Sequence, residues 1–321
     1  MENKVVNAVK HYIGIDIGGM TIKGIILKAD GTVLCQDRIE TGCEFGGENM
    51  CKNIVELINR MMLKVGDYKT DVAGVGVGCP GLIDSKTGTV VFAGNLKLEY
   101  FPLAKTISDK VGLPVKITND ANAAALGEAK FGAGKKFSDS ILITLGTGVG
   151  SGVIIDGKLY EGGKSAGTEI GHMVIEHDGE LCTCGRRGCF ERYSSASALM
   201  KKTREVMEDD TSSEMWSKYT PQTVSGRTPF EFYDTDHAAK KVVDWYVKYL
   251  ACGITNIVNI FRPQIVMLGG GVSEQGEKLT APVQKLVDKE IFAGTDFAPV
   301  KVVKATLGSA AGAYGAAALF I

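Results

Sequence analysis

The sequence predicts an α/β protein built from two similar domains that face each other across a cleft. Three observations carry that expectation. The chain is 321 residues long, more than one ordinary hydrophobic core accommodates. A strand–glycine turn–strand unit occurs twice, Ile15-Asp16-Ile17-Gly18-Gly19 aligning with Ile143-Thr144-Leu145-Gly146-Thr147, and each copy runs into an Asp-Gly hairpin signal, Asp30-Gly31 and Asp156-Gly157. The spacing of the copies is too long for a solenoid and reads as a duplicated domain. Finally, Cys182, Cys184 and Cys189 crowd one loop in which Gly185 and Gly188 let the backbone fold back, and His172 lies ten positions earlier. Three thiolates and an imidazole make the closed tetrahedral set that a structural zinc prefers. The loop is therefore expected to be stapled by zinc, leaving no coordination position for chemistry. Glu169 and Glu191 flank it and are expected to be held in place and free for another ligand.

In chain order, residues 12–17 form an apolar strand interrupted by Asp16, with strands 21–27 and 33–39 continuing an antiparallel meander. Apolar residues at 54, 57, 58, 61, 62 and 65 give 49–65 a helical stripe. Residues 71–78 read as a buried strand ending in the Cys79-Pro80-Gly81 turn, 103–111 as a short helix and 115–118 as a strand. Residues 121–130 are rich in helix formers, and Asn119 or Asp120 can cap them at a strand-to-helix junction. Strands 140–145, 149–155 and 158–160 repeat the opening pattern. Helical segments over 195–207, an exposed polar stretch over 209–227 and a long helix 236–260 stopped by Arg262-Pro263 follow. Strand 264–268, the glycine run 269–271, helix 279–290, strand 300–304 and a small-residue helix 309–320 close the chain.

Composition narrows the function. The net charge of −1 removes the electrostatic case for nucleic acid or an anionic membrane as main partner. No apolar run reaches the ~20 residues of a bilayer span, and the first residues lack the apolar core of a signal peptide. The remaining cysteines, Cys35, Cys43, Cys51, Cys79 and Cys252, are scattered without disulfide-like spacing, as in a reducing compartment. A cytoplasmic protein is expected.

Glycine turns between strands let backbone N–H groups approach an anion, although such a turn is also ordinary hairpin chemistry. Two in duplicated units, plus a third run at 269–271, favour phosphate binding. Neither the GxxxxGK[ST] loop nor the GxGxxG-then-helix pattern is present, which disfavours a P-loop or Rossmann site. Asp16 is placed to hold a magnesium ion through water, while Lys23 and the hydroxyls of Thr21 and Thr147 are candidate phosphate donors. Asp120 reads either as a helix cap or as the general base for an alcohol attacking a γ-phosphate, with Asn119 beside it for a sugar hydroxyl.

The motifs DIGG at 16–19, CPG at 79–81, NDANAAALGE at 119–128, LGTGVGSG at 145–152, EIGH at 169–172, CTCGRRGCFE at 182–191 and LGGGVS at 268–273 together resemble the ROK family (repressor, open reading frame, kinase), within the actin/Hsp70/hexokinase superfamily. The resemblance runs from Tyr12 to the C-terminal helix. It implies two duplicated actin-like ATPase domains of ribonuclease H-like fold. The smaller would comprise 1–118 plus 306–321, the C-terminal helix returning to it, and the larger 119–305 with the zinc loop. It implies ATP-dependent phosphorylation of the 6-hydroxyl of a hexose, with Mg²⁺ and structural zinc. The CxCGxxGCxE loop points to glucose or N-acetylmannosamine as substrate, glucose being the one expected, with N-acetylmannosamine or another hexose as the alternative and a non-catalytic sugar sensor as the rival reading. By the same resemblance Asp120 is the catalytic base, and Gly81, Asn95, Asn119, Glu169, His172 and Glu191 face the sugar, His172 serving zinc as well. Gly18, Gly19, Thr21, Thr147 and Gly148 would bind phosphates, and Gly270 with Gly271 the nucleotide. A homodimer or homotetramer is implied. One position departs from the family pattern: Met20 stands where Thr is usual, so that Thr21 or backbone amides must make the phosphate contact. With the first strand near Tyr12, no room is expected for the DNA-binding domain of the family's repressors.

Overall fold

Two five-stranded sheets with the same strand order carry the architecture, in a computed structural model that describes residues 10–66 and 71–321. Strands β1 (His11–Ile17), β2 (Thr21–Lys28) and β3 (Val33–Glu40) form the expected antiparallel meander. Helix α1 (Gly47–Val65) lays Met50, Ile54, Leu57, Ile58 and Met61 on the sheet, the i, i+3/i+4 stripe of an amphipathic helix. Strand β4 (Val72–Cys79) then pairs in parallel with β1 on the side away from β2, so β1 is buried on both flanks. Strands β5 (Leu82–Asp84), β6 (Thr89–Ala93) and β7 (Leu98–Phe101) make a small antiparallel sheet where the sequence signalled no element. Helix α2 (Leu103–Val111) returns the chain to β8 (Val115–Asn119), which completes the order β3-β2-β1-β4-β8. Helix α3 (Asp120–Phe131) follows without a break.

The second sheet repeats this plan. Strands β9 (Ser140–Leu145), β10 (Val149–Ile155) and β11 (Lys158–Tyr160) form its meander. Between them and the next strand lie the cysteine loop and helices α4 (Glu191–Ser194), α5 (Ala196–Asp209), α6 (Thr228–Glu231) and α7 (His237–Phe261). The expected polar stretch over 209–227 is largely irregular, and α7 stops at Arg262, whose φ of 43° is left-handed, just before Pro263. Strand β12 (Ile265–Gly269), helix α8 (Glu277–Glu290) and strand β13 (Lys301–Lys304) close the order β11-β10-β9-β12-β13. Register confirms the duplication: Asp16 pairs with Lys23 and Gly78, and its counterpart Thr144 pairs with Gly150 and Gly269.

Two helices join the halves. The last, α9 (Ala311–Ala318), lies on the first sheet, so closely that a Cβ on Gly14 would sit 1.9 Å from the Ala313 carbonyl oxygen. Helix α3 lies on β9 and β10 of the second sheet and crosses α9 backbone to backbone. A Cβ on Gly315 would stand 1.5 Å from the Ala123 oxygen, so only glycine permits the crossing. Each sheet has its own hydrophobic core, one centred on Ile13, Ile54 and Val75, the other on Phe190, Tyr246 and Val266. Among the described residues no helix is long and apolar enough to cross a membrane.

Candidate functional site

Strands β1, β4 and β8 run parallel, so Asp16 and Asn119-Asp120 emerge at the same end of the first sheet on either side of β4. Gly78 of β4 separates them: a Cβ there would lie 3.9 Å from Asp16 Oδ1 and 3.7 Å from Asp120 Cα. Burial raises Asp16 to about 6, with Lys23 pulling down and the Asp120 charge pushing up. Burial also raises Asp120, against hydrogen bonds from the Ala121 amide, its own amide and the Asn119 side chain. Two half-buried carboxylates that resist ionising together are the donor chemistry of a hard cation such as Mg²⁺. The Lys23 ammonium donates one of its three hydrogens to the Ser309 carbonyl (2.9 Å) at the approach to α9.

The cap of α3 is Asn119 and not Asp120. Its Oδ1 accepts from Ala121 N–H (2.9 Å) and Asn122 N–H (3.3 Å), and its Nδ2 donates to the Gly81 carbonyl (3.1 Å). Asp120, as first residue of the helix, sits at the positive end of the helix dipole with its carboxylate left for chemistry. Gly81 adopts φ 107°, and Asn95 is exposed, its carbonyl accepting from the Cys43 thiol (3.8 Å), which also reaches the Gly19 carbonyl (3.7 Å).

Both glycine turns close on themselves. Gly18 N–H donates to the Thr21 carbonyl and Gly146 N–H to the Gly148 carbonyl, each at 3.0 Å, so neither amide is left for a phosphate. The amides of Gly19, Met20, Thr147 and Gly148 take no partner among the described residues. A residue that the motif reading missed, the fully buried Thr41, anchors the first turn: its hydroxyl donates to the Gly18 carbonyl (2.6 Å). Nothing in the sequence around Thr41 signals that contact. The Met20 side chain is 87% exposed at the tip of this turn, and Thr21 is half-buried at the start of β2.

Strand β10 gathers the remaining site residues. Its Val149 N–H donates to Glu191 Oε2 (2.9 Å), so Glu191 is not wholly free as expected; one carboxylate oxygen is committed to the second turn. A Cβ on Gly148 would stand 2.2 Å from that same oxygen, which explains the glycine. On the same strand, the Val149 carbonyl touches Gly171 of the Glu169–His172 segment, and Gly150 approaches Ala121 beside Asp120. Glu169 is exposed, and its carbonyl accepts the His172 N–H (3.1 Å).

His172, Cys182, Cys184 and Cys189 converge, with all four ligand atoms within 4.8 Å of one another. His172 Nδ1 lies 3.6 Å from Cys182 Sγ, and Cys184 Sγ lies 3.6 Å from Cys189 Sγ. Zinc bonds of about 2.3 Å to sulfur and about 2.0–2.1 Å to nitrogen place tetrahedral neighbours roughly 3.5–3.8 Å apart, so the cluster fits the ion. Burial pushes the Cys189 thiol up to about 12, whereas the Arg186 backbone amide holds Cys184 below the usual thiol range. A cation is what would keep all three as thiolates.

A cavity of about 300 Å³ opens between α3, β9, β12 and the start of α9. Gly270, Gly271, Thr144, Gly308 and Ser309 are among its lining residues. Gly270 takes φ 82° against the Leu145 backbone, where a Cβ would lie 2.5 Å from the carbonyl oxygen. Glu128, to which the sequence reading gave no role, forms part of the wall. Its signal was an acid directly after the run of mostly small residues over 121–127 in α3.

Comparisons with known proteins bear on the family and the fold. The profile described as "ROK family" matches residues 12–321. A glucokinase of Halalkalibacterium halodurans is 35% identical over 308 residues, covering 95% of this chain and 93% of its own length. The xylose repressor of Bacillus subtilis is 31% identical over 316 residues, covering 97% of this chain and 77% of the repressor. Among solved structures, a ROK family glucokinase from Streptomyces griseus in complex with glucose and AMPPNP superposes with TM-score 0.79 at 33% identity, covering 96% of this chain and 98% of that one.

Proposed function

The chain belongs to the ROK family, and from that premise we propose that it is an ATP-dependent hexose kinase transferring phosphate to the 6-hydroxyl of glucose. The observation that carries the reading is the pair of half-buried carboxylates, Asp16 and Asp120, at one sheet end beside two glycine turns with amides that take no partner among the described residues. Asp120 accepts the proton of the sugar 6-hydroxyl as its oxygen bonds the γ-phosphorus and the bridging bond to ADP breaks. Its raised proton affinity makes it a better base than an exposed aspartate. The amides of Gly19, Met20, Thr147 and Gly148 are available to the phosphate oxygens, and backbone donors thus replace the hydroxyl that Met20 lacks. Asp16 is the residue that would hold a magnesium ion through water, and the ion would supply positive charge to those oxygens. Asn119, Glu169, His172 and Glu191 orient the sugar, and Gly270 and Gly271 border the nucleoside. The two lobes, divided at residues 118 and 306, close over both substrates and exclude water that would otherwise take the phosphate. The enzyme works in the cytoplasm as a homodimer or homotetramer.

A second reading, a sugar sensor without catalysis, is favoured by the xylose-repressor relatives and by Met20. An ADP-release assay with ATP, Mg²⁺ and a panel of hexoses and N-acetylhexosamines separates the two. The highest kcat/KM is expected with glucose, and Asp120→Ala is expected to lower kcat about 10²-fold or more. Sugar binding without turnover on any member of the panel would establish the sensor instead.

A further inference from the structure

We infer that Glu128 is a positioning residue for the nucleotide, fixing the wall of the cavity against which the nucleoside part of the phosphate donor rests. The inference builds on the kinase reading above. Glu128 lies on α3 two turns after Asp120, and its side chain has no exposed surface. Its Oε1 accepts the Leu307 N–H (2.6 Å); its Oε2 accepts the Ala133 N–H (2.9 Å) and the Thr306 hydroxyl (3.2 Å). No arginine or lysine pairs with it among the described residues. A buried carboxylate without a counter-ion is tolerated only where such charge-assisted donors satisfy it, so these bonds are strong and direction-specific.

What Glu128 grips is the segment between β13 and α9. Leu307 precedes Gly308 and Ser309, which line the cavity together with Gly270, and the Ser309 carbonyl in turn receives the Lys23 ammonium. Lys23 is the strand partner of Asp16. A continuous path therefore runs from Asp120 along α3 to Glu128, across to 307–309, and back through Lys23 to Asp16. The cavity wall is set by the same helix that presents the catalytic carboxylate. A residue holding only the fold together would weaken all ligands alike when changed, whereas two of the three bonds to Glu128 come from Thr306 and Leu307, the segment that leads into the cavity wall.

Glu128→Gln keeps the size but places an amide NH₂ against N–H and O–H donors. The expected result is a KM for ATP, and a calorimetric Kd for ADP, raised about tenfold by loss of a charged buried hydrogen bond. The KM and Kd for glucose should stay within about twofold of the parent, the scatter of unaffected surface substitutions. Should Glu128→Gln fail to fold, Thr306→Val, which removes only one donor, should give the same split at about threefold. Equal loss of ADP and glucose affinity, or no loss of either, would overturn the inference while normal parental turnover leaves the kinase reading standing. A parent protein that binds glucose but no nucleotide would overturn both.

Discussion

At neutral pH an ionised Asp16 works against the folded state. Its proton affinity is raised from the ordinary 3.8 to about 6 by burial. The stability contributed by the protonated form is therefore complete below the unfolded value and lost as pH rises through about 6. Asp16→Asn should stabilise the ligand-free protein above that pH by up to about 3 kcal/mol while removing most turnover. Urea titration in the presence of a chelator, repeated from pH 4 to pH 8, checks this; a gap that does not widen with pH would remove Asp16 from its buried, metal-poor setting. For Asp120, the proposed base, the same burial should act on turnover: kcat/KM for the sugar should fall as the medium is acidified through a value above the usual carboxylate range. Both acids were legible because each adjoins a glycine turn or a helix start. The partners of Glu128 were not, since Thr306 and Leu307 lie far along the chain and nothing local announces the bond.

Helices α3 and α9 show what packing can do with very small residues. Gly127 and Gly315 let the backbones touch, and a Cβ on either would meet a carbonyl oxygen of the other helix, at 2.4 Å and 1.5 Å respectively. Gly315→Ala should separate the helices and destabilise the chain by roughly 3 kcal/mol or more, beyond ordinary overpacking. Because α3 starts at Asp120, kcat should fall in the same variant, measurable at a temperature where it remains folded. Loss of stability with kcat intact would show that the crossing is structural only. The duplicated meanders and the amphipathic α1 were readable from period and turn chemistry. The β5–β6–β7 sheet was not, because strands of three to five residues broken by Asp, Lys, Thr and Gly leave no window in which alternation can register. Asn119 could not be told from Asp120 as the cap, since either type serves and only the observed bonds choose.

Across the whole molecule, the cysteine loop and the proposed sugar set are one construction. Cys189 is followed by the fully buried Phe190 and then by Glu191, which grips β10 at Val149. Removing the metal, by Cys184→Ser or by a chelator, should therefore weaken glucose binding about tenfold and leave ADP affinity unchanged, as expected for loss of a positioned hydrogen-bonding group. Zinc content with paired calorimetric titrations checks it, and unaltered glucose affinity in a zinc-free protein would remove the staple role. The placement of α9 has a consequence for how the protein is made. The first sheet buries Gly14 and Gly76 beneath a helix synthesised almost three hundred residues after β1. A nascent chain emerging from the ribosome thus carries its first-made sheet with one face bare until translation is nearly finished. The earliest strands of this protein are among the last to reach their native surroundings.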